Sequence, residues 1–459
     1  MVFNSFKFLI FFAFFYLFFV IVPGRFKWLW LLIASWFFYF TFKPIYLVVL
    51  LGLTVCDFIC ALAVFKKQGF WKIFFLIFAL LVNIGTLLVF KYLGLFGELM
   101  AIFKGSNPLS GFSLVVPIGI SFHTFQGMAY VIDVYRGKIG PEKKFGIFAL
   151  FISIFPQLMA GPIERAAHLM PQLTRLFILS KVPFREAILL IATGYVKKMA
   201  IADSLGLVVD VIYLSPQNFN GVTLAIATVF FGVQLYCDFS GYVDITRGLG
   251  KLMGIDFVLN FDKPYFSANI TEFWRRWHIS LSSWVRDYLY IPLGGNRFGV
   301  FRQHCNLIVT MVIMGLWHGS NLTFAVWGVY HGILLVFQKV ISAAKIKVLK
   351  PIAVIFTFAL VNLGWIFFRS ENIEVAFGII RSIFSYSLFS GIQYQPGMLL
   401  GAIFIFVLLF CEAADAKWNI WAKIINAHPA VVGFVYAALF YVFVFFSVRK
   451  TAQFIYFQF

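Results

Sequence analysis

An all-α protein that crosses a membrane many times is what this sequence predicts, and three observations carry that expectation. Of its 459 residues, 62% are hydrophobic and only 12% are charged, whereas soluble domains carry about 25% charged residues. Its mean hydropathy is +0.93. The apolar residues gather into runs of membrane-crossing length joined by short polar connections, and no strand pattern stands out.

A helix needs about 20 apolar residues to cross the hydrocarbon core. Runs near that length fall at 6–23, 28–42, 45–65, 71–93, 112–134, 145–160, 187–213, 222–240, 305–317, 323–340, 351–368, 397–413 and 430–448. The first apolar stretch, Phe8–Val22, resembles a signal peptide only superficially. Pro23-Gly24-Arg25-Phe26-Lys27 follows it instead of a small-residue cleavage site, so it reads as an uncleaved first span. Several runs are short or interrupted, at Pro117 with Gly119, at Pro156 with Gly161-Pro162, and at His318-Gly319. Broken helices are tolerated inside a bilayer only where protein or a water-filled cavity covers the freed backbone groups. The expectation is a single integral domain over 1–459 with about 11 transmembrane helices plus re-entrant and interfacial pieces.

The net charge of +19 fits cytoplasmic loops rich in Lys and Arg. Basic clusters follow the first run (Arg25, Lys27), the third (Lys66, Lys67, Lys72) and the fifth (Arg136, Lys138, Lys143, Lys144). Alternation then puts the N-terminus outside, and Arg449-Lys450 puts the C-terminus in the cytoplasm. Basic loops also attract anionic lipid headgroups or a phosphate-bearing donor. The five cysteines show neither metal spacing nor a disulfide framework. Zinc, serine-hydrolase and nucleotide-binding patterns are missing from the sequence, and nothing points to nucleic acid.

Two polar islands interrupt the hydrocarbon. The first, Thr271–Arg297, reads TEFWRRWHISLSSWVRDYLYIPLGGNR. Taken as one helix over Thr271–Tyr290, it lines up Trp274, Trp277, Leu281, Trp284 and Tyr288 on one face, as in a helix lying at the interface. The tryptophans read as belt or packing residues. Arg275, Arg276 and Arg286 crowd the other face, and His278 sits beside two of them, which disfavours its charged form. The second island, Leu316–Asn321, places His318 between two apolar runs, near membrane depth, where an ionisable residue is costly and by default functional. A low dielectric keeps such an imidazole neutral, the form a general base requires. Trp317 and Asn321 are neighbouring donors able to steady an oxyanion. His331 reads as a packing histidine, and Asp238 lies in Cys237-Asp238-Phe239-Ser240-Gly241-Tyr242, read as a helix break lining a cavity.

At these residues the chain resembles the membrane-bound O-acyltransferase family, in its bacterial alginate and peptidoglycan O-acetyltransferase branch. The motifs are PIGISFHTFQ from Pro117, PQLMAGPIER at Pro156–Arg165, YCDFSGYVDI at Tyr236–Ile245, FWRRWHISLSSWVRDYLYIPLGGNR at Phe273–Arg297, GLWHGSNLTFAVWGVYHG at Gly315–Gly332, and FIYFQF at the end. The resemblance implies a ring of helices around a funnel or tunnel, with His318 as the catalytic histidine and His278 as the second recurrent one. It implies a cytoplasmic acyl thioester donor, most simply acetyl-CoA, and an acceptor across the membrane. Because the acceptor polymer lies outside, a periplasmic or extracellular SGNH-hydrolase-like partner is expected to complete the transfer. The IPLGGNR ending favours this branch over the related D-alanyl transfer proteins of teichoic acid synthesis. Two other classes stay open on the residues alone. A transporter of acyl groups or glycan precursors would also use broken helices and midplane polar residues, and would move its cargo without cleaving a thioester. A scaffold would leave His318 dispensable.

Overall fold

A computed structural model describes residues 1–104, 116–159, 161–175, 177–344, 348–385, 390–448 and 454–455. Among them there is no strand. Eight of the helices are long and apolar enough to cross a membrane. The chain packs as two compact units, one of Met1–Ile191 with Thr246–Val258, the other of Ala192–Ile245 with Leu259–Phe459.

The first unit opens with α1 (Phe6–Ile21), α2 (Lys27–Phe40), α3 (Pro44–Lys66), α4 (Gly69–Lys104) and α5 (Ile120–Tyr135). α3 and α4 are tied internally by Asp57, which accepts from the Asn83 amide at 2.7 Å. Where the sequence predicts a run over 145–160, the chain forms α6 (Phe145–Ser153) and the single turn α7 (Phe155–Leu158). At 1.5 Å per residue α6 is only about 14 Å long, half of what a crossing needs. The backbone groups freed by this break are covered from within the unit. Gln157 donates to Pro162 O at 2.8 Å and to the Gln126 side chain at 2.7 Å, and Gln126 donates to Phe151 O at 2.6 Å. Thr246 donates to Pro156 O at 2.7 Å. Two of the recognised motifs, PIGISFHTFQ and PQLMAGPIER, therefore meet through paired glutamines. Next comes α8 (Ala166–Leu173), whose His168 pairs with the buried Glu164 at 2.8 Å.

The run expected over 187–213 is a continuous rod: α9 (Phe184–Tyr195), a π-helical turn (Val196–Ala202) and α10 (Asp203–Leu214). The break expected around Asp238 does not occur; α11 runs unbroken from Gly221 to Leu252. Gly241 serves close approach instead. A Cβ there would lie 2.7 Å from Gly194 O and 3.0 Å from Lys198 N, so the glycine lets α11 seat against the π-helical turn. That turn supplies Lys198, whose Nζ lies 2.7 Å from Asp203 and 2.6 Å from Asp238, with all three side chains buried. The polar residues that suggested a break are paired sideways.

The remainder of the second unit holds α12 (Ile270–Arg276), α13 (Ile279–Val285), α14 (Val300–His318), α15 (Leu322–Ala343), α16 (Lys350–Arg369), α17 (Ile373–Ile383), α18 (Met398–Trp418), α19 (Ile420–Ile425) and α20 (Pro429–Phe446). The single helix expected over Thr271–Tyr290 is corrected to two, because the chain turns at His278, which adopts φ +44°. Its tryptophans pack inward: Trp274, Trp277 and Trp284 are all buried. Arg449-Lys450, on which the cytoplasmic C-terminus was reasoned, lies outside the described residues.

Candidate functional site

His318 is the last residue of α14, and the chain reverses at once through an extended Gly319 into α15. Asn321 caps α15, accepting from Thr323 N at 3.0 Å, which satisfies an otherwise orphaned helix N–H. Three glycines let the two helices meet backbone to backbone. A Cβ on Gly315 would overlap Phe324 O, one on Gly328 would lie 2.7 Å from Val312 Cα, and one on Gly332 would lie 2.9 Å from Ile308 Cα. Small residues at such spacing let membrane helices approach closely. His318 is thus fixed at the tip of a tightly closed hairpin. Its buried ring lies edge-on to Trp317 (centroids 4.9 Å apart), Trp327 (5.3 Å) and Phe368 (5.2 Å).

His278 reaches the same place from another element. At the corner between α12 and α13 its imidazole Nδ1 lies 3.3 Å from Asn260 Oδ1. That oxygen also accepts from Ser280 N at 3.0 Å and from Ser280 Oγ at 2.9 Å. A backbone N–H can only donate, so the Asn260 oxygen is fixed as an acceptor, and His278 must carry its proton on Nδ1. Nε2 is then the basic nitrogen. Burial holds the His278 imidazole down at about 3, so the ring is neutral at physiological pH. It stands edge-on to Phe239 at 4.7 Å and 6.3 Å from the Trp317 ring. The two histidines therefore share one indole between them, that of Trp317.

Behind Trp327 lies a nest of aromatic rings. His331 is fully buried there, 4.9 Å from Trp327, 5.2 Å from Trp274 and 6.2 Å from Trp365. The expectation of a packing histidine describes its surroundings but not its nitrogens. Neither has a hydrogen-bond partner among the described residues, nor do the indole N–H groups of Trp274, Trp327 and Trp365. Such a concentration of buried polar atoms is unusual, since most are paired.

The other expected site residues are brought into the same unit, and all but Arg275 engage their polar groups locally. Asn321 also donates to Glu371 O at 2.6 Å. Arg276 pairs with Glu272 at 2.7 Å and Arg286 with Asp287 at 2.8 Å, while Arg275 is exposed on α12. Asp238, besides its pairing with Lys198, accepts from Ile455 N at 2.8 Å.

Sequence reasoning missed Asn260, Lys198 and a second polar group, in which the buried Tyr236 donates to the buried Glu412 at 2.5 Å and the half-buried Lys197 pairs with the half-buried Asp244 at 2.7 Å. Two adjacent lysines inside the apolar run of YVKKMAIADS were a usable signal for the ionic groups. Asn260 carried none. Among the described residues no cluster of His, Cys, Asp and Glu is arranged to hold a metal.

Residues 144–373 match the model of the membrane-bound O-acyltransferase family. The chain is 40% identical over 390 residues to the probable alginate O-acetylase AlgI of Pseudomonas aeruginosa, covering 82% of this chain and 73% of that protein. It is 34% identical over 386 residues to the peptidoglycan O-acetyltransferase of Helicobacter pylori, covering 77% and 73%. A teichoic acid D-alanyltransferase of Streptococcus thermophilus is 32% identical over 250 residues, covering 49% and 57%. These likenesses set aside a carrier or scaffold without transferase chemistry: the chain belongs to the membrane-bound O-acyltransferase family, and it is a multi-pass membrane acyltransferase.

Proposed function

We propose that this enzyme moves an acyl group, most simply acetyl, from a cytoplasmic thioester such as acetyl-CoA to hydroxyls of an extracytoplasmic polysaccharide. The transfer runs directly or through a periplasmic or extracellular SGNH-hydrolase-like partner. The relatives named for alginate and peptidoglycan O-acetylation support this acceptor class. The reading places the protein in a bacterial inner membrane, N-terminus outside and C-terminus in the cytoplasm.

The observation that carries the proposal is the buried pair of histidines meeting on Trp317. A hydroxyl is a poor nucleophile until its proton is taken, and a placed base contributes roughly 10²–10⁴ in rate. In the proposed step His318 takes that proton as the hydroxyl oxygen bonds to the thioester carbonyl carbon. Indole N–H groups around the ring stabilise the resulting oxyanion. The C–S bond then breaks, and the thiolate recovers the proton from the imidazolium. A site this well buried also keeps water from the thioester. His278, with Nε2 basic, is the second candidate for proton transfer.

The test is His318→Gln in the full-length protein. Polymer O-acetylation in cells and release of thiol from acetyl-CoA by the purified enzyme should both fall by about 10²–10⁴. Undiminished acetylation by a variant that still folds defeats the proposal.

A further inference from the structure

The first unit carries a basic cleft whose residues take no part in the proposed proton transfer. It measures about 370 Å³, and Lys27, Arg175, Lys181, Gln172, Trp28 and Phe177 are among its lining residues. Three cations line it, and its described lining residues include no carboxylate. None of the three forms an ion pair among the described residues. Asp256, next in sequence to the lining residue Ile255, lies 3.2 Å from Lys251, which is also 3.1 Å from Glu186.

The cleft is built rather than incidental. Lys27 is buried, its ammonium donating to Phe19 O and to Val20 O at the end of α1. It also lies over the Phe19 ring at 4.7 Å and the Phe177 ring at 4.8 Å. Gln172, another lining residue, is held by accepting from Asp256 N at 2.9 Å and donating to Asp256 O at 3.2 Å. Arg175 and Lys181 stand exposed at the mouth. Like charges held together repel one another and favour a shared anion. A phosphate, with several strong acceptor oxygens, matches one fixed ammonium, one guanidinium fork and one mobile ammonium. The aromatic walls suit the apolar or ring portion of a phosphate ester. Basic recesses among membrane helices bind lipid phosphates by the same logic.

We propose that this cleft is a phosphate-ester binding site. Two sources share that chemistry: the headgroup of an anionic phospholipid and the phosphates of a coenzyme A thioester. The second source rests on the donor proposed above; the first does not. The site differs from the arginines of Thr271–Arg297, two of which are spent on neighbouring carboxylates.

The test uses the full-length protein in phosphatidylcholine nanodiscs and the double variant Arg175→Gln/Lys181→Gln, both exposed positions that leave the fold intact. Two affinities are measured, for coenzyme A and for phosphatidylglycerol titrated in at fixed total lipid. Removing two cations should weaken at least one of them about 30-fold. Loss for phosphatidylglycerol identifies a lipid headgroup site, loss for coenzyme A identifies the donor phosphates, and loss of both identifies a cleft open to either. Unchanged affinity for both overturns the proposal. A wild-type protein that binds no coenzyme A defeats the donor reading while the lipid arm still tests the cleft.

Discussion

Gly315→Ala is the sharpest single test of how the hairpin serves His318. Gly315 lies one helical turn before the histidine on α14, and an added methyl would overlap Phe324 O and sit 3.2 Å from Gly328 Cα. Both obstacles are backbone, so no side chain can swing aside. To reach ordinary contact the two helices must part by about 1 Å near the tip. Overpacking of this kind costs about 1–3 kcal/mol, partly offset by the gain of up to about 1 kcal/mol from replacing glycine in a helix. The protein should therefore still fold. A reacting group displaced by about 1 Å loses roughly 10² in rate, so acyl transfer should fall about 100-fold while stability drops by no more than about 3 kcal/mol. Thiol release from labelled acetyl-CoA reports the first quantity and unfolding in detergent the second. Gly433→Ala is the control, since a Cβ there meets nothing within 4 Å; it should leave the rate unchanged. A Gly315→Ala enzyme as active as the wild type would refute the claim that the hairpin positions His318.

Lys198→Met leaves Asp203 and Asp238 buried without their cation, at a cost of about 3–5 kcal/mol; unfolding measurements should show the loss, and adding Asp203→Asn with Asp238→Asn should recover most of it. Asn260→Ala strands three donors, each worth about 1–3 kcal/mol when buried unpaired, and should lower both stability and transfer rate. Asn260→Asp keeps the acceptor; its carboxylate favours the imidazolium of His278, so the acid limb of the pH–rate profile should move to higher pH, and a profile identical to wild type would remove His278 from the proton inventory. The Glu164 carboxylate raises the pKa of His168 above its ordinary value. His168 thus holds its proton more tightly folded than unfolded, and its contribution is full below the unfolded value of about 6.5 and fades as pH rises through the raised one. The ring is partly exposed, so the effect is small; His168→Gln should flatten the melting-temperature profile in that window.

The apolar runs located the long helices because length and hydropathy are local properties of a membrane span, and the polar islands drew attention to His278 and His318 because ionisable residues are rare in so apolar a chain. What stayed hidden depends on partners distant in sequence. Cys237–Tyr242 looked like a break because it combines a carboxylate with a glycine. In the fold the carboxylate is met by Lys198 and by Ile455 N, and the glycine admits a neighbouring backbone. Asn260 anchors His278 from 18 residues away, a relation no periodicity contains. The aromatic face of Thr271–Tyr290 suggested one helix, yet both halves bury their tryptophans because the turn at His278 redirects the second.

That turn bears on what His278 is for. A non-glycine residue at φ +44° costs roughly 1–3 kcal/mol and persists only where its surroundings impose it. Here the imposition comes from one amide oxygen that collects three donors. If the position served only to turn the chain, glycine or asparagine would do so at lower cost. Histidine adds a nitrogen whose protonation is fixed by Asn260 and whose ring reaches Trp317. Across that indole stands His318, held by an unrelated device, the glycine-closed hairpin. Two independently anchored imidazoles converging on one buried ring is an expensive arrangement for packing. It suits the proposed movement of a proton between an alcohol and a departing thiolate, which requires bases held to within a fraction of an ångström.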